Sequence, residues 1–409
     1  MISCGTPAKN DTQAAAGELK FWTLSLDAPK FKDYFTTLIA DFEKQNPGTT
    51  VKWDDYDFKE MQSKILAAVQ SKTAPDVVNL NPDFALQLAG RNAWLPLDEK
   101  VPAEIQQEYL PKIWKANSLD GKSFGFPWYL TPRIAIYNQD LFKQAGVTQP
   151  PKNYQELAQV AKQIKDQTQK YAFFITTVPT DAGELMESFV QMGVTLLDKS
   201  GKAAFNSAEG KAAFSYWSDL YKQGLLPKEV LTEGHRRGID LYQSGQIAIL
   251  SSGSQFLGNI ATNAPQIAKA SALAPQITGP TGKINVAAMN LVVPKDSKNQ
   301  DMALKFAEFV TNPTNQTTFA KLANVLPSTQ SSLRDPYFSK GPENATLQDQ
   351  GRIVSAQQLE TAEVLIPSHK DIKQLQKLLY ENLQAVMLGQ KNVDQALTNA
   401  ESAWNALQA

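Results

Sequence analysis

Cysteine and histidine are nearly missing from these 409 residues. The single Cys, Cys4, has no partner for an internal disulfide and cannot alone build a structural zinc site, and the two histidines, His235 and His369, lie far apart in sequence. Metal-dependent chemistry therefore has no support, and neither a metal nor a cofactor is expected. Charge of one sign is also scarce. Lys+Arg 40 against Asp+Glu 41 gives a net charge of -1, so no excess of cations is available to neutralise a phosphate backbone, and a nucleic-acid partner is not expected. No apolar run approaches the roughly 20 residues that span a bilayer. No G-x-S-x-G elbow occurs. Gly279-Pro280-Thr281-Gly282-Lys283 has the wrong glycine spacing for a phosphate loop and is followed by Ile284 where Ser or Thr is required, so it reads as a turn. A glycosidase working through two carboxylates stays open, because 41 acidic residues supply many pairs.

What is present is ordinary globular material, 42% hydrophobic and 20% charged, long enough for two or three domains of about 100 to 200 residues. After a polar opening, TPAKNDTQAAAGE, with no apolar periodicity, Leu19 to Leu24 is rich in strand formers. Phe31, Phe35, Leu38 and Phe42 then recur at helical spacing until Asn46-Pro47-Gly48. Val51 and Trp53 alternate with polar neighbours as in a strand. Met61, Ile65, Ala68 and Val69 form a helical stripe, and Asp76 to Leu80 reads as a buried strand. This β-α-β-α-β order predicts a mainly parallel sheet covered by helices, with ligands gathering beyond the carboxyl ends of its strands. Ser25, Asp27, Asn79, Asn81 and Asp83 occupy those loops.

A helix through Leu86 and Leu88 is expected to close in a left-handed turn at Gly90 or Asn92. SFGFPWYLTPRIAIYN, with two prolines and five aromatics, reads as the first crossing between domains. Further helices are predicted over residues 153–166, 207–223 and 300–310, and strands over 173–175, 247–250 and 286–293, the last marking a return to the first domain. At the carboxyl end Ile372, Leu375, Leu379, Leu383 and Val386 form one packing stripe, and Val393, Leu397, Ala400, Trp404 and Leu407 another.

Six segments in order resemble the solute-binding proteins of ABC importers in their maltose-binding-like sugar branch. They are FTTLIADFEKQNPGTTVKW, TAPDVVNLNPDFALQLAGRNAWLPLD, GKSFGFPWYLTPRIAIYNQDLFKQAGVTQPPKNYQEL, LYQSGQIAILSSGSQF, ALAPQITGPTGKINVAAMNLVVPKDSKNQDMALKFAEFV and NVLPSTQSS. The resemblance implies an α/β, two-lobed periplasmic-binding-protein fold of type II. One lobe would comprise residues 17–128 and 287–325, the other 129–286 and 326–409, joined by hinge crossovers around a ligand cleft. It implies capture of a disaccharide, small oligosaccharide or glycosidic compatible solute such as glucosylglycerol, sucrose or trehalose by cleft closure, and delivery to ABC permease subunits served by a separate ATPase. A non-carbohydrate solute such as a glycerophosphodiester is the alternative. Ile2-Ser3-Cys4-Gly5 resembles the end of a bacterial lipoprotein signal whose charged start and apolar stretch are missing, so residues 1–16 are expected to be a tether, lipidated at Cys4 on the periplasmic or extracytoplasmic membrane face and otherwise free of the membrane. A monomer suits such a shuttle.

A sugar requires polar side chains around its edge and flat aromatic surfaces against its C–H faces. The candidate set is Ser25, Asp27, Asn79, Asn81 and Asp83 from the first lobe, Trp128, Tyr129 and Thr131 on the crossing, Thr177, Asp181, Glu184, Gly253, Ser254, Gln255 and Phe256 from the second, Met289 and Asn290 on the return crossing, and His369. Each has a plainer reading. Trp128 and Phe256 also suit a core, Asp83, Asp181 and Glu184 also suit helix caps, and His369 suits a solvated helix start. Arg133 is expected to pair with a carboxylate in the hinge. Two departures from the family pattern bear on the ligand: Glu363-Val364-Leu365-Ile366-Pro367 stands where an Arg-Pro-Arg-Pro run is common, and Gln255 stands where Trp is common.

Overall fold

A computed structural model describes residues 17–408; the expected tether and Cys4 lie outside them. The chain opens with strand β1 (Glu18–Leu24), helix α1 (Pro29–Gln45), strand β2 (Thr50–Tyr56), helix α2 (Phe58–Gln70), strand β3 (Val77–Leu80) and helix α3 (Pro82–Ala89). Pro29 and Pro82 sit in the first turns of α1 and α3, where a missing N–H costs nothing. Asp57 caps α2 by accepting from Glu60 N at 2.8 Å, and Asn81 caps α3 by accepting from Phe84 N at 3.0 Å. After α3 the left-handed residue is Asn92, at φ 59°, while Gly90 keeps a right-handed φ of -61°.

β1 pairs in parallel with both β2 and β3. The strands added to β3 run antiparallel: β3 pairs with Ile284–Val292, which pairs with the crossing strand Phe126–Asn138, which pairs in turn with Leu326–Pro327, while the short Ala362–Glu363 joins Ile284–Val292 in parallel. The expected mainly parallel sheet is therefore mixed, because the strands added to β3 come from the crossings rather than from further β-α-β units. Along the crossing strand the partners change. Phe126 to Pro132 pair with Ile284–Val292, whereas Arg133 to Asn138 pair with Ile249–Gly253 and Ser271–Pro275.

On the first side of that change the core is aromatic. Phe21 meets Phe35 and Phe306 edge-on at 5.8 and 5.1 Å, and Trp128 lies 4.4 Å from Phe319. On the other side helix Leu347–Gln358 lies against Ser271–Pro275 and the crossing strand, and helices Ala208–Lys222, Ile372–Met387 and Val393–Leu407 pack on one another. Ile372, Leu375, Leu379, Leu383 and Val386 are all buried, as are Leu397, Ala400 and Trp404. Leu407, placed on the same stripe, is 55% exposed at the last residue of its helix. Residues 173–175 do not form a regular strand; the neighbouring ladder is a single bridge between Tyr171 and Ile247, and the strand proper begins at Ile249.

Trp128 is wholly enclosed by Phe35, Tyr129 and Phe319. Trp128→Ala is expected to lower stability by about 3–5 kcal/mol, read by urea unfolding. An unshifted midpoint would place the indole outside the core.

Candidate functional site

Three polar groups lie around the change of strand partners. The first is built on β1 and β2. Asp55 Oδ1 accepts from Thr23 Oγ1 at 2.6 Å and from Leu26 N at 2.9 Å, fixing the loop that exposes Ser25 and Asp27; Ser25 itself takes a left-handed φ of 56° and donates its N–H to Tyr56 O at 2.9 Å. Burial holds the Asp55 carboxyl above the usual range, with bonds from Thr23 and Leu26 opposing and the Asp27 charge adding. Tyr129, also buried, feels the Asp55 charge, and its phenol is pushed above its ordinary value by burial first and Asp55 second.

The second group spans the two sides of the molecule. Asp83, on α3, forms an ion pair with Lys373 of helix Ile372–Met387, 290 residues away. Lys373 Nζ also donates to Gln376 Oε1 at 3.1 Å, and Gln376 Nε2 donates to Asp181 O at 2.8 Å. Below them, Tyr380 donates to Ala182 O at 2.9 Å and Gln384 Nε2 to Thr177 O at 2.9 Å. Lys373, Gln376, Tyr380 and Gln384 follow one another at spacings of three, four and four, so one helix presents a polar stripe beside its apolar one. The sides also touch where Ser368 Oγ donates to Ala116 O at 3.0 Å and where Asn324 Nδ2 donates to Ser254 O at 3.1 Å. Between Asp83, Leu86 and Phe124 on one side and Val364 and Ile366 on the other remains a cavity of about 30 Å³.

The third group is buried at the start of the crossing strand's second half. Arg133 Nε donates to Glu187 Oε2 at 3.0 Å, and its Nη1 lies 3.8 Å from Glu184 Oε2. His235 Nδ1 lies 3.5 Å from the same Glu184 oxygen, and Asp181 Oδ1 accepts from His235 N at 2.9 Å. Burial opposes the charged guanidinium, but the two carboxylates overcome it and keep Arg133 protonated. Burial also works against both acids. For Glu184 the Arg133 charge and the hydrogen bond from His235 win and hold the carboxyl below the usual range; for Glu187 burial wins over Arg133, and the carboxyl is raised.

The predicted site residues thus divide. Asp83, Asp181 and Glu184 join these groups, with Ser25, Asp27 and Tyr129 at the β1 loop. Asn81 caps α3. Thr131 and Met289 are partly exposed on the paired crossings, opposite Ala287 and Tyr129. Gly253 is buried opposite Arg133, Ser254 is buried against Asn324, and Gln255 and Phe256 follow as partly exposed residues. Four others are placed elsewhere. Trp128 belongs to the aromatic core. Asn79 and Asn290 are completely enclosed in the sheet, Asn79 Nδ2 donating to Asn290 O at 3.2 Å and Asn290 Nδ2 to Ala288 O at 3.0 Å. Thr177 is enclosed and donates to Val230 O at 2.8 Å. His369 is also apart, lying edge-on to Trp404 at 5.0 Å and beside Gly201. Lys373, Gln376, Tyr380 and Glu187 were missed, although the polar stripe at helical spacing was there to be read. A larger surface concavity, about 580 Å³ between helices Tyr154–Thr168 and Ala208–Lys222, is lined by none of these residues.

A family model for bacterial extracellular solute-binding proteins matches residues 37–346. The chain belongs to that family. It is 43% identical to a crystallised periplasmic-binding protein of Synechococcus sp. MITs9220, provisionally named for oligosaccharides and determined with zinc, at a TM-score of 0.90 over 95% of this chain and 98% of that one. Among the described residues here no group of three or more His, Cys, Asp or Glu could hold a metal ion. The cyclic alpha-maltosyl-1,6-maltose binding protein of Arthrobacter globiformis has the same fold, with a TM-score of 0.80 at 22% identity over 96% and 99% of the two chains. The diacetylchitobiose binding protein of Streptomyces coelicolor is 25% identical over 80% of this chain and 78% of its own. The two-lobed, maltose-binding-like α/β fold expected from the sequence is thereby shown. Among the described residues of this family member, no helix is long and apolar enough to cross a membrane.

Two outcomes follow from the buried groups. Arg133→Met leaves Glu184 and Glu187 without their guanidinium and is expected to cost about 3–5 kcal/mol, measured by denaturant unfolding; a cost below about 1 kcal/mol would mean the cluster is solvated. Burial lowers the His369 imidazole below its ordinary value, with Asp371 opposing. Because its folded pKa is depressed, its contribution to stability is present at higher pH and is lost as pH falls from the unfolded value through the folded one. With only two histidines, NMR titration assigned by His369→Gln should find the ring titrating below about 6.5. A midpoint at or above that value contradicts its packing against Trp404.

Proposed function

We propose that this protein is the substrate-binding component of an ABC importer, capturing a sugar between its lobes outside the cytoplasmic membrane and handing it to permease subunits with a separate ATPase. The lobe division is taken where the strand partners change, between Pro132 and Arg133; residues 129–132 and Leu326–Pro327, expected in the second lobe, pair within the first sheet. The observation that carries the reading is the polar bridge from Asp83 through Lys373 and Gln376 to Asp181, which joins side chains of both lobes. A hydroxyl-rich guest can enter such a bridge by exchanging its own donors and acceptors for those of the protein, without leaving a buried group unpaired.

Charge favours a neutral guest. Lys373 is paired with Asp83, and Arg133 with Glu184 and Glu187, so both cations are already engaged by carboxylates. An anion would have to compete for them. This weighs against the phosphate alternative, although the sn-glycerol-3-phosphate-binding protein of Rhizobium meliloti is 25% identical over 96% of this chain and 94% of its own. The names of the Arthrobacter and Streptomyces relatives support a disaccharide or small oligosaccharide, and glucosylglycerol, sucrose and trehalose fall in the same chemical class. Capture rather than bond cleavage agrees with a family of binding proteins. Moving a cleft from mostly open to mostly closed takes roughly 5.5 kcal/mol of preference. A micromolar sugar, worth about 8 kcal/mol in total, supplies that only by touching both lobes. Lipid on Cys4 would keep a monomeric receptor near its permease.

The test is a melting-temperature panel of sucrose, trehalose, maltose, maltotriose and glucosylglycerol, with sn-glycerol 3-phosphate as the anionic comparison. A bound sugar at a hundred times its Kd adds about 2.7 kcal/mol of stability. Asp83→Ala should abolish most of that gain while leaving the unliganded melting temperature within a few degrees, since the Asp83–Lys373 pair is partly solvated. A response to the phosphate alone would replace the sugar reading with the anion reading.

A further inference from the structure

The backbone at position 90, just past α3, does not call for glycine: φ -61° and ψ -20° are right-handed values open to any residue. Space is what demands it. A Cβ on Gly90 would lie 2.5 Å from Lys370 Cβ and 3.0 Å from Lys370 Cα, too close for carbon atoms unless one chain moves. Gly90 belongs to the first lobe and Lys370 to the second, so the lobes approach backbone to backbone at this point. Contacts on either side of Lys370 continue the approach. Ser368 Oγ donates to Ala116 O at 3.0 Å, and Lys373 is paired with Asp83. Between them His369 lies edge-on to Trp404 at 5.0 Å and holds the segment to its own lobe. Little room is left beside Asp83. The cavity it lines with Leu86, Phe124 and Ile366 measures about 30 Å³, enough for one or two waters, whereas small-ligand pockets run to about 300 Å³ and more.

We infer that residues 368–373 are a strap with which the cleft closes on itself, Lys373 taking the place on Asp83 that the hydroxyls of a guest would take. The inference rests on the reading of Asp83 as a guest contact and adds an internal competitor for it. Lys373 Nζ offers Asp83 charge-assisted donors, and a carboxylate so engaged has less to give a neutral hydroxyl. The side chains of Lys373 and Asp83 are 26% and 31% exposed, and a partly solvated pair is a weak lock, so the strap docks and releases. A guest then binds only molecules whose strap is off, and its apparent affinity is reduced by that fraction.

Gly90→Ala is the direct test, because the added methyl displaces Lys370 while Asp83 and Lys373 both remain. Calorimetry of the full chain, Gly90→Ala and Lys373→Gln uses sucrose, trehalose, maltose and glucosylglycerol. For a strap docked roughly half to nine-tenths of the time, the sugar that the unaltered protein binds should bind about twofold to tenfold more tightly to Gly90→Ala. Salt reads the same competition without that methyl. Raising sodium chloride from about 0.01 to 1 M shortens the screening length from about 30 to 3 Å, so affinity should rise in the unaltered protein and stay level in Lys373→Gln. Small-angle scattering of the unliganded proteins should give Gly90→Ala the larger radius of gyration. Equal or weaker sugar affinity in Gly90→Ala at an unchanged unliganded melting temperature overturns the strap and leaves the sugar reading standing. Should Gly90→Ala melt lower, the salt response decides, and an affinity in the unaltered protein that salt does not raise overturns the strap. Binding of no sugar by any of the three proteins defeats the sugar reading instead; the radius of gyration then tests the strap alone, and equal radii overturn it.

Discussion

A strand that leaves one sheet and enters another must have its backbone paired on both sides of the departure, since an orphaned buried peptide group is as costly as a lost hydrogen bond. The crossing strand Phe126–Asn138 meets this constraint by exchanging Ile284–Val292 for Ile249–Gly253 and Ser271–Pro275 between Pro132 and Arg133. The Pro127 carbonyl, at a register shift, accepts from Ser328 Oγ at 2.7 Å and Gln316 Nε2 at 3.2 Å. At the exchange point Gln358 Nε2 donates to Arg133 O at 3.2 Å. The two halves of the molecule are oriented by that one length of chain together with its returning neighbour.

Arg133 explains why the constraint matters for a site. A guanidinium taken out of water is tolerated only with good partners, and Glu187 and Glu184 come from a helix of the second half. The same helix follows the segment holding Asp181, which Gln376 and His235 both bind. A chain of contacts thus runs from the crossing strand, through buried acids, to the face where Lys373 reaches Asp83.

Much of this was legible in the sequence, and the parts that were not share a physical cause. Periodicity found β1 to β3, α1 to α3 and the last two helices, because burial of one face fixes every third or fourth residue. The expected pairing of Arg133 with a carboxylate also holds. What failed was depth and distance. Asn79, Asn290 and Thr177 follow strand-like runs as loop residues should, yet backbone carbonyls of neighbouring chain satisfy them inside the fold. Phe173 to Ile175 has strand composition but lacks a regular ladder beside it. Asp83 and Lys373 are joined across 290 residues, which no local pattern encodes. The polar stripe Lys373, Gln376, Tyr380 and Gln384 was visible but was overshadowed by the apolar stripe on the same helix.

Capture by two bodies is the claim on which the functional account stands, and a distance between them measures it most directly. With Cys4 replaced by Ser, spin labels at Lys44 on α1 and Lys162 on helix Tyr154–Thr168, both exposed, report one lobe against the other by pulsed electron resonance. The account predicts that the sugar giving the largest melting shift contracts and narrows the distance distribution, and that Asp83→Ala blunts the change. A distribution that is identical with and without bound sugar would contradict capture by closure.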